Sequence, residues 1–498
     1  MNVLLLSMPD SFEHMPAIVI RMPNGGLASL AGNIDSHHRV AIADLILVQR
    51  RVRATVERLV REFEPDVVSL SVMTFQRRTA FRIIELVRSL KANVRVVVGG
   101  YDPSLAPEAY AAQGEGGVDF IVRGEGEVTF CELLRAIENG GSFEQIPGLS
   151  FREGGEYRHN PMAPPRKLEE GELRLPNRKA RVLKGYTMVG RQVDVVETSR
   201  GCTFDCSFCS IIEMRGRNFH TFGLERVLED IRDARRSGAK SIFFVDDNIT
   251  LNVARFQELC EAIVRAGLNG IDYYVQGMTS AIANHGRELA PLMRQAGFRY
   301  VFLGIENMDE TNLKFLHANA KNTEREGGVA RGNATLNAIE LLHKHGMYVV
   351  GGLIVGNPDD TARSVQSNLD MAKRYVDWPY IQHPTPYPRT PMTREFDQRG
   401  LIVHDRVEEY DGTTAVVRTE HMTAEEAEFL RWKAERWIKM RHFPVVLKHD
   451  PWFVLRHGAG MIAHTFRGSK LKTWLGLEDE REAFARYRAI RKQERVYL

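Results

Sequence analysis

Val193-Asp-Val-Val-Glu-Thr-Ser-Arg-Gly-Cys202-Thr-Phe-Asp-Cys206-Ser-Phe-Cys209 opens as an apolar strand and ends in a loop holding three cysteines. Thiolates are the usual ligands of iron–sulfur clusters. Spacings of four and then three residues let one irregular loop reach three corners of a cube. Three ligands leave the fourth iron open, and an open coordination site is where a substrate or cofactor binds. Structural zinc closes with a fourth Cys or His. None stands nearby in sequence, and His220 would reach only through the fold. The other two cysteines, Cys131 and Cys260, lie in amphipathic patterns that read as core. Five cysteines in 498 residues are too few for a disulfide scaffold.

Working outward from that loop, strand and helix patterns alternate. Apolar runs at 193–197, 241–245, 272–276, 300–304, 348–354 and 380–383 are separated by helical stretches such as 224–236, 254–266 and 336–345. Six such units predict a partial (β/α)6 barrel over 191–400, whose chemistry sits after the carboxyl ends of the strands. The polar, glycine-bearing stretch 317–333 reads as an inserted loop. Upstream, Val-rich runs at 3–6, 41–47, 67–72, 94–98 and 118–122 alternate with amphipathic stretches at 53–63 and 78–90. That pattern predicts a doubly wound, Rossmann-like parallel sheet over 1–145. Residues 146–190 are polar and proline-punctuated, a linker with room for a short hairpin around Gly154 and Gly155. Beyond 400 a small helical region over 401–498 opens on a capping box at Thr423 and Glu426. Phe429, Trp432 and Trp437 follow at the spacing of one apolar stripe.

Composition is that of a globular α/β protein: 43% hydrophobic, 26% charged, net charge +3. The first residues read as a strand and not as a signal peptide, and no apolar run is long enough to span a membrane. A cytoplasmic location is expected. Residues 431–498 carry 16 Lys/Arg against 7 Asp/Glu. This tail is either a solvated basic surface or a meeting point for an anionic substrate, nucleic acid or membrane.

Further motifs follow the cysteine loop in order. They are Gly304-Ile-Glu306, Gly351-Gly-Leu-Ile-Val-Gly356-Asn-Pro358 and Pro384-Thr-Pro386-Tyr-Pro-Arg-Thr390-Pro391. With Phe208 in the aromatic place of Cys-x3-Cys-x-aromatic-Cys, residues 190–400 resemble the radical S-adenosylmethionine superfamily. Arg389 departs from the family's usual glycine. The resemblance implies a 4Fe-4S cluster on Cys202, Cys206 and Cys209, and S-adenosylmethionine on its open iron. It implies contacts from Phe208, Gln276, Glu306, Gly351, Gly352, Ile354 and Pro386. The chemistry implied is reductive cleavage to methionine and a 5′-deoxyadenosyl radical. Asp246 and Asp247 stand at a strand end and either serve the site or order the loop. Arg200 either balances cluster charge or pairs a carboxylate.

The amino-terminal third adds Pro65-Asp-Val-Val-Ser-Leu-Ser-Val-Met-Thr74, Val98-Gly99-Gly100 and Asp119-Phe-Ile-Val-Arg-Gly124-Glu-Gly-Glu127. A doubly wound domain, a linker and a radical barrel resemble the cobalamin-binding subgroup. This nominates Ser69, Ser71, Thr74, Gly99, Gly100 and Gly124 as cobalamin contacts, with Gly126 shaping a turn at the corrin edge. The Asp-x-His-x-x-Gly motif is absent, and the first loop reads Pro23-Asn-Gly-Gly-Leu-Ala-Ser-Leu-Ala-Gly32. Histidine ligation of cobalt is therefore not expected. The leading expectation is methylation of an unactivated carbon of a small-molecule substrate, with an external flavodoxin- or ferredoxin-type electron donor. The alternatives are a cobalamin-dependent cyclase or oxidase without methyl transfer, a tRNA-modifying enzyme and a sensor. No RNA-binding module or second cluster is visible, so nucleic acid is not an expected partner. Oligomeric state is not legible.

Overall fold

The computed structural model of the protein describes residues 1–11, 20–111, 117–153, 156–162, 168 and 173–498. The first sheet is built from β1 (Asn2–Ser7), β2 (Arg39–Asp44), β3 (Val67–Ser71), β4 (Arg95–Gly99), β5 (Phe120–Val122), β6 (Leu149–Glu153) and β7 (Glu156–His159). Their order is β2-β1-β3-β4-β5-β6-β7. The first five are parallel, and β6 and β7 close the edge antiparallel. Central strands buried on both faces explain the Val-rich runs. Helices Val52–Phe63 and Arg77–Leu90 cover one face, and Gly25–Asn33 and Gly126–Asn139 the other. The sheet is therefore doubly wound, as expected.

Local departures have physical causes. The run at 41–47 stops as a strand at Asp44 and continues as a 3-10 turn, Leu45–Arg51. The presumed first loop at 23–32 is largely helix Gly25–Asn33, whose first turn is capped by the Asn24 side chain accepting from Leu27 N–H at 3.0 Å. The sheet also continues past 145, because β6 and β7 form the hairpin anticipated near Gly154 and Gly155. Those two glycines lie outside the described residues.

The second sheet holds β8 (Arg191–Val196), β9 (Ser241–Phe244), β10 (Asp272–Met278), β11 (Phe298–Glu306), β12 (Tyr348–Ile354) and β13 (Trp378–Gln382). These six are parallel and in chain order, the pattern of an open barrel, and the short strands Thr187–Met188 and Ile20–Arg21 extend the β8 edge antiparallel. The outer row, including Val275, Val301, Leu303 and Val349, packs under the helices. Tyr274, Tyr300 and Tyr348 face inward and stack at 4.8 and 5.0 Å, forming a floor near the strands' amino ends. The stretch 317–333 is not an irregular loop. It contains a hairpin of Thr323–Glu326 paired with Val329–Asn333.

The linker clasps the barrel. Arg178 is buried and donates to Asp194 on β8 and to Asp230 and Asp233 on helix Leu224–Arg236. The carboxyl-terminal region is helical: Ala424–His449, Pro451–Thr465, Leu471–Trp474 and Glu480–Glu494. The Thr423 capping box forms as expected. Phe429 and Trp432 pack against Phe484, but Trp437 is half exposed and leaves the anticipated stripe. Among the described residues, no helix is long and apolar enough to cross a membrane.

Candidate functional site

The cysteine loop is held from beneath by Asp246, the first residue after Val245 beyond β9. Its buried carboxylate accepts from Thr198 N–H at 2.7 Å and from Ser199 Oγ at 2.6 Å. Burial pushes this carboxyl up to about 7, against the donors Ser199 and Thr198. Asp247 accepts from Gly201 N–H at 2.8 Å. Both aspartates therefore order the loop. Gly201 has φ +85°, and a Cβ there would lie 2.4 Å from Asn218 O. Only glycine fits this turn.

Within the loop, Cys209 N–H donates to Cys206 O at 3.0 Å, and Asn248 Nδ2 donates to Cys202 Sγ at 3.5 Å. Ser207 N–H donates to Leu316 O, and Met392 N–H donates to Ser207 O, so two distant segments are tied to the cysteines. Burial pushes the Cys206 thiol up to about 11 and the Cys209 thiol to about 12, opposed by Lys321. The three cysteines are not among the described groups whose ligand atoms all lie within 4.8 Å of one another, as the ligands of one ion would. A polynuclear cluster fits this donor set better than a single zinc.

Opposite the loop, β11 bulges between Gly304 and Glu306. Glu306 has φ +59°, a left-handed conformation that costs a non-glycine residue about 1–2 kcal/mol. Its carboxylate is paired with Lys321, whose ammonium lies 5.5 Å from the Phe208 ring centroid. A Cβ on Gly304 would come within 2.8 Å of Glu306 Oε1 and 3.2 Å of Lys321 Nζ. Burial works to lower Lys321, but Glu306 and the two thiols hold it above its ordinary value. Lys321 was missed in the sequence because it sits in a polar stretch without a motif. Its signal is the pairing, visible only in three dimensions.

The other expected contacts divide. Ile354 and Phe208 meet in one apolar cluster with Leu313, Leu316 and Met392. Gln276 shares the inward row of β10 with Tyr274. Pro386 lies in the buried segment leading to Met392. Gly352 faces inward, where a Cβ would meet Phe302 at 2.7 Å. Gly351 faces the outer layer, where a Cβ would meet Val376 at 2.8 Å. Packing alone therefore explains Gly351. Arg389 has φ +68°, which accounts for the usual glycine at that place.

In the first sheet the strand order reverses between β1 and β3, the crevice where such sheets bind ligands. Asn24 Nδ2 donates to Ser71 Oγ across it at 3.3 Å. Ser69 lies on the same side of β3, one residue pair deeper and buried. Thr74 is buried on the turn that follows. A Cβ on Gly99 would meet Val122 O at 3.4 Å, and Gly100, at φ +100°, would bring a Cβ within 3.0 Å of Val72 N. Gly124 N–H donates to Ser104 Oγ, which donates to Gly100 O. Small and hydroxyl side chains thus line one carboxyl edge, a donor set that fits a large amide-rimmed cofactor.

The two edges meet. Arg200, directly before the cysteine turn, is buried and donates to Glu127 at 2.6 Å and to Glu197 at 2.8 Å. Ser29 Oγ also donates to Glu127. Burial would raise the Glu127 carboxyl, yet Arg200 and Ser29 hold it down to about 2. Arg215 reaches Glu125 at 3.5 Å. Helix Ile211–Arg215, just after Cys209, packs on Tyr101–Leu105, just after Gly100. Arg200 therefore pairs carboxylates across the two sheets.

Comparisons with known proteins agree with both halves. A family profile described as B12 binding domain matches residues 19–134. One described as Radical SAM superfamily matches residues 196–372. An uncharacterized methyltransferase of Pyrococcus horikoshii is 29% identical over 94% of this chain and 98% of its own length. The hopanoid C-3 methylase of Methylococcus capsulatus is 28% identical over 60% of this chain and 56% of its own. An anaerobic magnesium-protoporphyrin IX monomethyl ester cyclase of Synechocystis is 26% identical over 88% and 84%. Among solved structures, the cobalamin-dependent S-adenosylmethionine radical enzyme OxsB, with aqua-cobalamin and S-adenosylmethionine bound, shares the fold. Its TM-score is 0.67 at 18% identity, covering 99% of this chain and 71% of that one.

Proposed function

Because the chain belongs to the cobalamin-binding radical S-adenosylmethionine enzymes, we propose that it methylates an unactivated carbon of a small-molecule substrate. The observation that carries this reading is the Arg200–Glu127 pair, which joins the cysteine loop to the Gly124–Glu127 turn. When bound, the cluster with S-adenosylmethionine supplies a carbon-centred radical, and cobalamin supplies a transferable methyl group.

The chain's own residues do the positioning. Cys202, Cys206 and Cys209 hold the cluster, and Asp246 and Asp247 fix their loop. Glu306 and Lys321 offer opposite charges to the ammonium and carboxylate of the amino-acid end of S-adenosylmethionine. Phe208 and Ile354 exclude water beside them. Ser69, Ser71, Thr74, Gly99, Gly100 and Gly124 cradle cobalamin at the facing edge. The tyrosine floor closes the barrel below. An external flavodoxin- or ferredoxin-type protein supplies electrons.

The test is product analysis after anaerobic turnover with S-adenosylmethionine labelled on its methyl carbon. Methylation predicts 5′-deoxyadenosine, methionine and S-adenosylhomocysteine together. Deoxyadenosine with substrate-dependent product but no S-adenosylhomocysteine sinks methyl transfer and favours ring closure or oxidation.

A further inference from the structure

We propose that His37, His38 and Glu138 form a binding site for one divalent transition-metal cation, zinc in chemical class. The site lies at the opposite edge of the first sheet from the cofactor crevice. His37 and His38 immediately precede β2, and Glu138 is in the last turn of helix Gly126–Asn139. The first turn of that same helix carries Glu127, so the site anchors its far end.

The three ligand atoms all lie within 4.8 Å of one another. His37 Nε2 is 2.9 Å and His38 Nε2 3.9 Å from Glu138 Oε2. Zinc–nitrogen and zinc–oxygen bonds of about 2.0–2.2 Å set tetrahedral ligands about 3.3 Å apart, so small side-chain shifts close the site. An ordinary ion pair between His37 and Glu138 does not account for His38. Its side chain is 1% exposed, and its Nε2 is buried without a hydrogen-bond partner. Native structures rarely leave such an atom unsatisfied.

A cation between the three groups satisfies Nε2 directly. With Nε2 on the cation the ring proton sits on Nδ1, and the Met1 nitrogen 3.1 Å away accepts it as the uncharged amine. Asp35 is already paired with both arms of Arg135 and is not needed as a ligand. His37 is exposed, giving the ion an entry path, and water completes the fourth position. Two imidazoles and a carboxylate select zinc-like ions over magnesium or calcium.

The experiment uses the full, untagged protein with cluster and cobalamin installed, so that the cysteine sulfurs are occupied. It is dialysed against zinc and its metals are quantified. About one zinc per chain is expected beyond iron and cobalt. That zinc is lost in His38→Ala and in Glu138→Gln, while iron and cobalt are unchanged. Cobalt(II) in place of zinc gives the visible absorption of a tetrahedral nitrogen–oxygen site, absent in Glu138→Gln. The proposal is overturned if the wild type takes up no additional zinc, or if both variants retain it.

Discussion

Lys321 shows how much one side chain can organise. It faces Glu306, Phe208 and two cluster thiols from a segment that no motif marks. Lys321→Met leaves Glu306 buried without its partner and removes a charged contact for S-adenosylmethionine. Its binding to the reconstituted protein weakens by about 10–100-fold, with iron content unchanged. Equal binding by the variant contradicts that role. Asp246 makes a prediction about pH. Its folded value is raised to about 7, above the ordinary 3.8. A raised carboxyl stabilises the fold fully below the unfolded value and loses that contribution as pH rises through the folded one. The stability of the wild type relative to Asp246→Asn therefore falls between about pH 4 and 7. Urea midpoints across that range measure it, and a flat difference refutes it. Arg389, in the left-handed region, belongs to the same scale. Arg389→Gly raises stability by about 1 kcal/mol, since its exposed 3.6 Å contact with Glu108 offers little in return. A loss of that size in urea denaturation excludes backbone strain there.

Among the elements, the linker does more than connect. Arg178 is shared by three aspartates, two of them buried. Arg178→Ala leaves buried Asp230 without its paired cation, while Asp194 keeps Arg181, and costs about 3–5 kcal/mol, read from urea unfolding. A cost under about 1 kcal/mol means the cluster is dispensable. The strands of the first sheet were legible because their Val-rich runs are buried on both faces, and those of the second because apolar runs alternate with helical stretches. The hairpin at 323–333 was not, because its strands are largely exposed and carry no apolar alternation. Helix Gly25–Asn33 was hidden by its glycines and lack of charge, and only Asn24 signals its start. The cysteine triad was nominated by its spacing, and Glu306 by resemblance to a family motif. Gly351 is under a packing constraint from Val376, and a glycine required by packing looks the same in sequence as one required by a ligand.

At the scale of the molecule, two sheets present their carboxyl edges to one shared space. Arg200 and Glu127 form one bond between them, and the carboxyl terminus returns Tyr497 and Leu498 to the first sheet's core. Much of the basic charge of residues 431–498 is spent inside the fold. Arg491 lies between Asp411 and Glu428, Arg486 pairs Glu478, and Arg431 and Lys439 pair Glu435. That spending favours a structural reading of the tail. Arg200→Ala leaves Glu127 buried and uncompensated. It loosens the cobalamin edge while Cys202, Cys206 and Cys209 keep their iron, so cobalt content falls relative to iron. The central claim is that cluster and cobalamin share one site. Electron paramagnetic resonance of the protein loaded with both groups and partly reduced tests it most directly. A cobalt signal split or broadened by the nearby reduced cluster is expected, with the interaction lost in Cys206→Ala. Two unperturbed signals that simply add would contradict it.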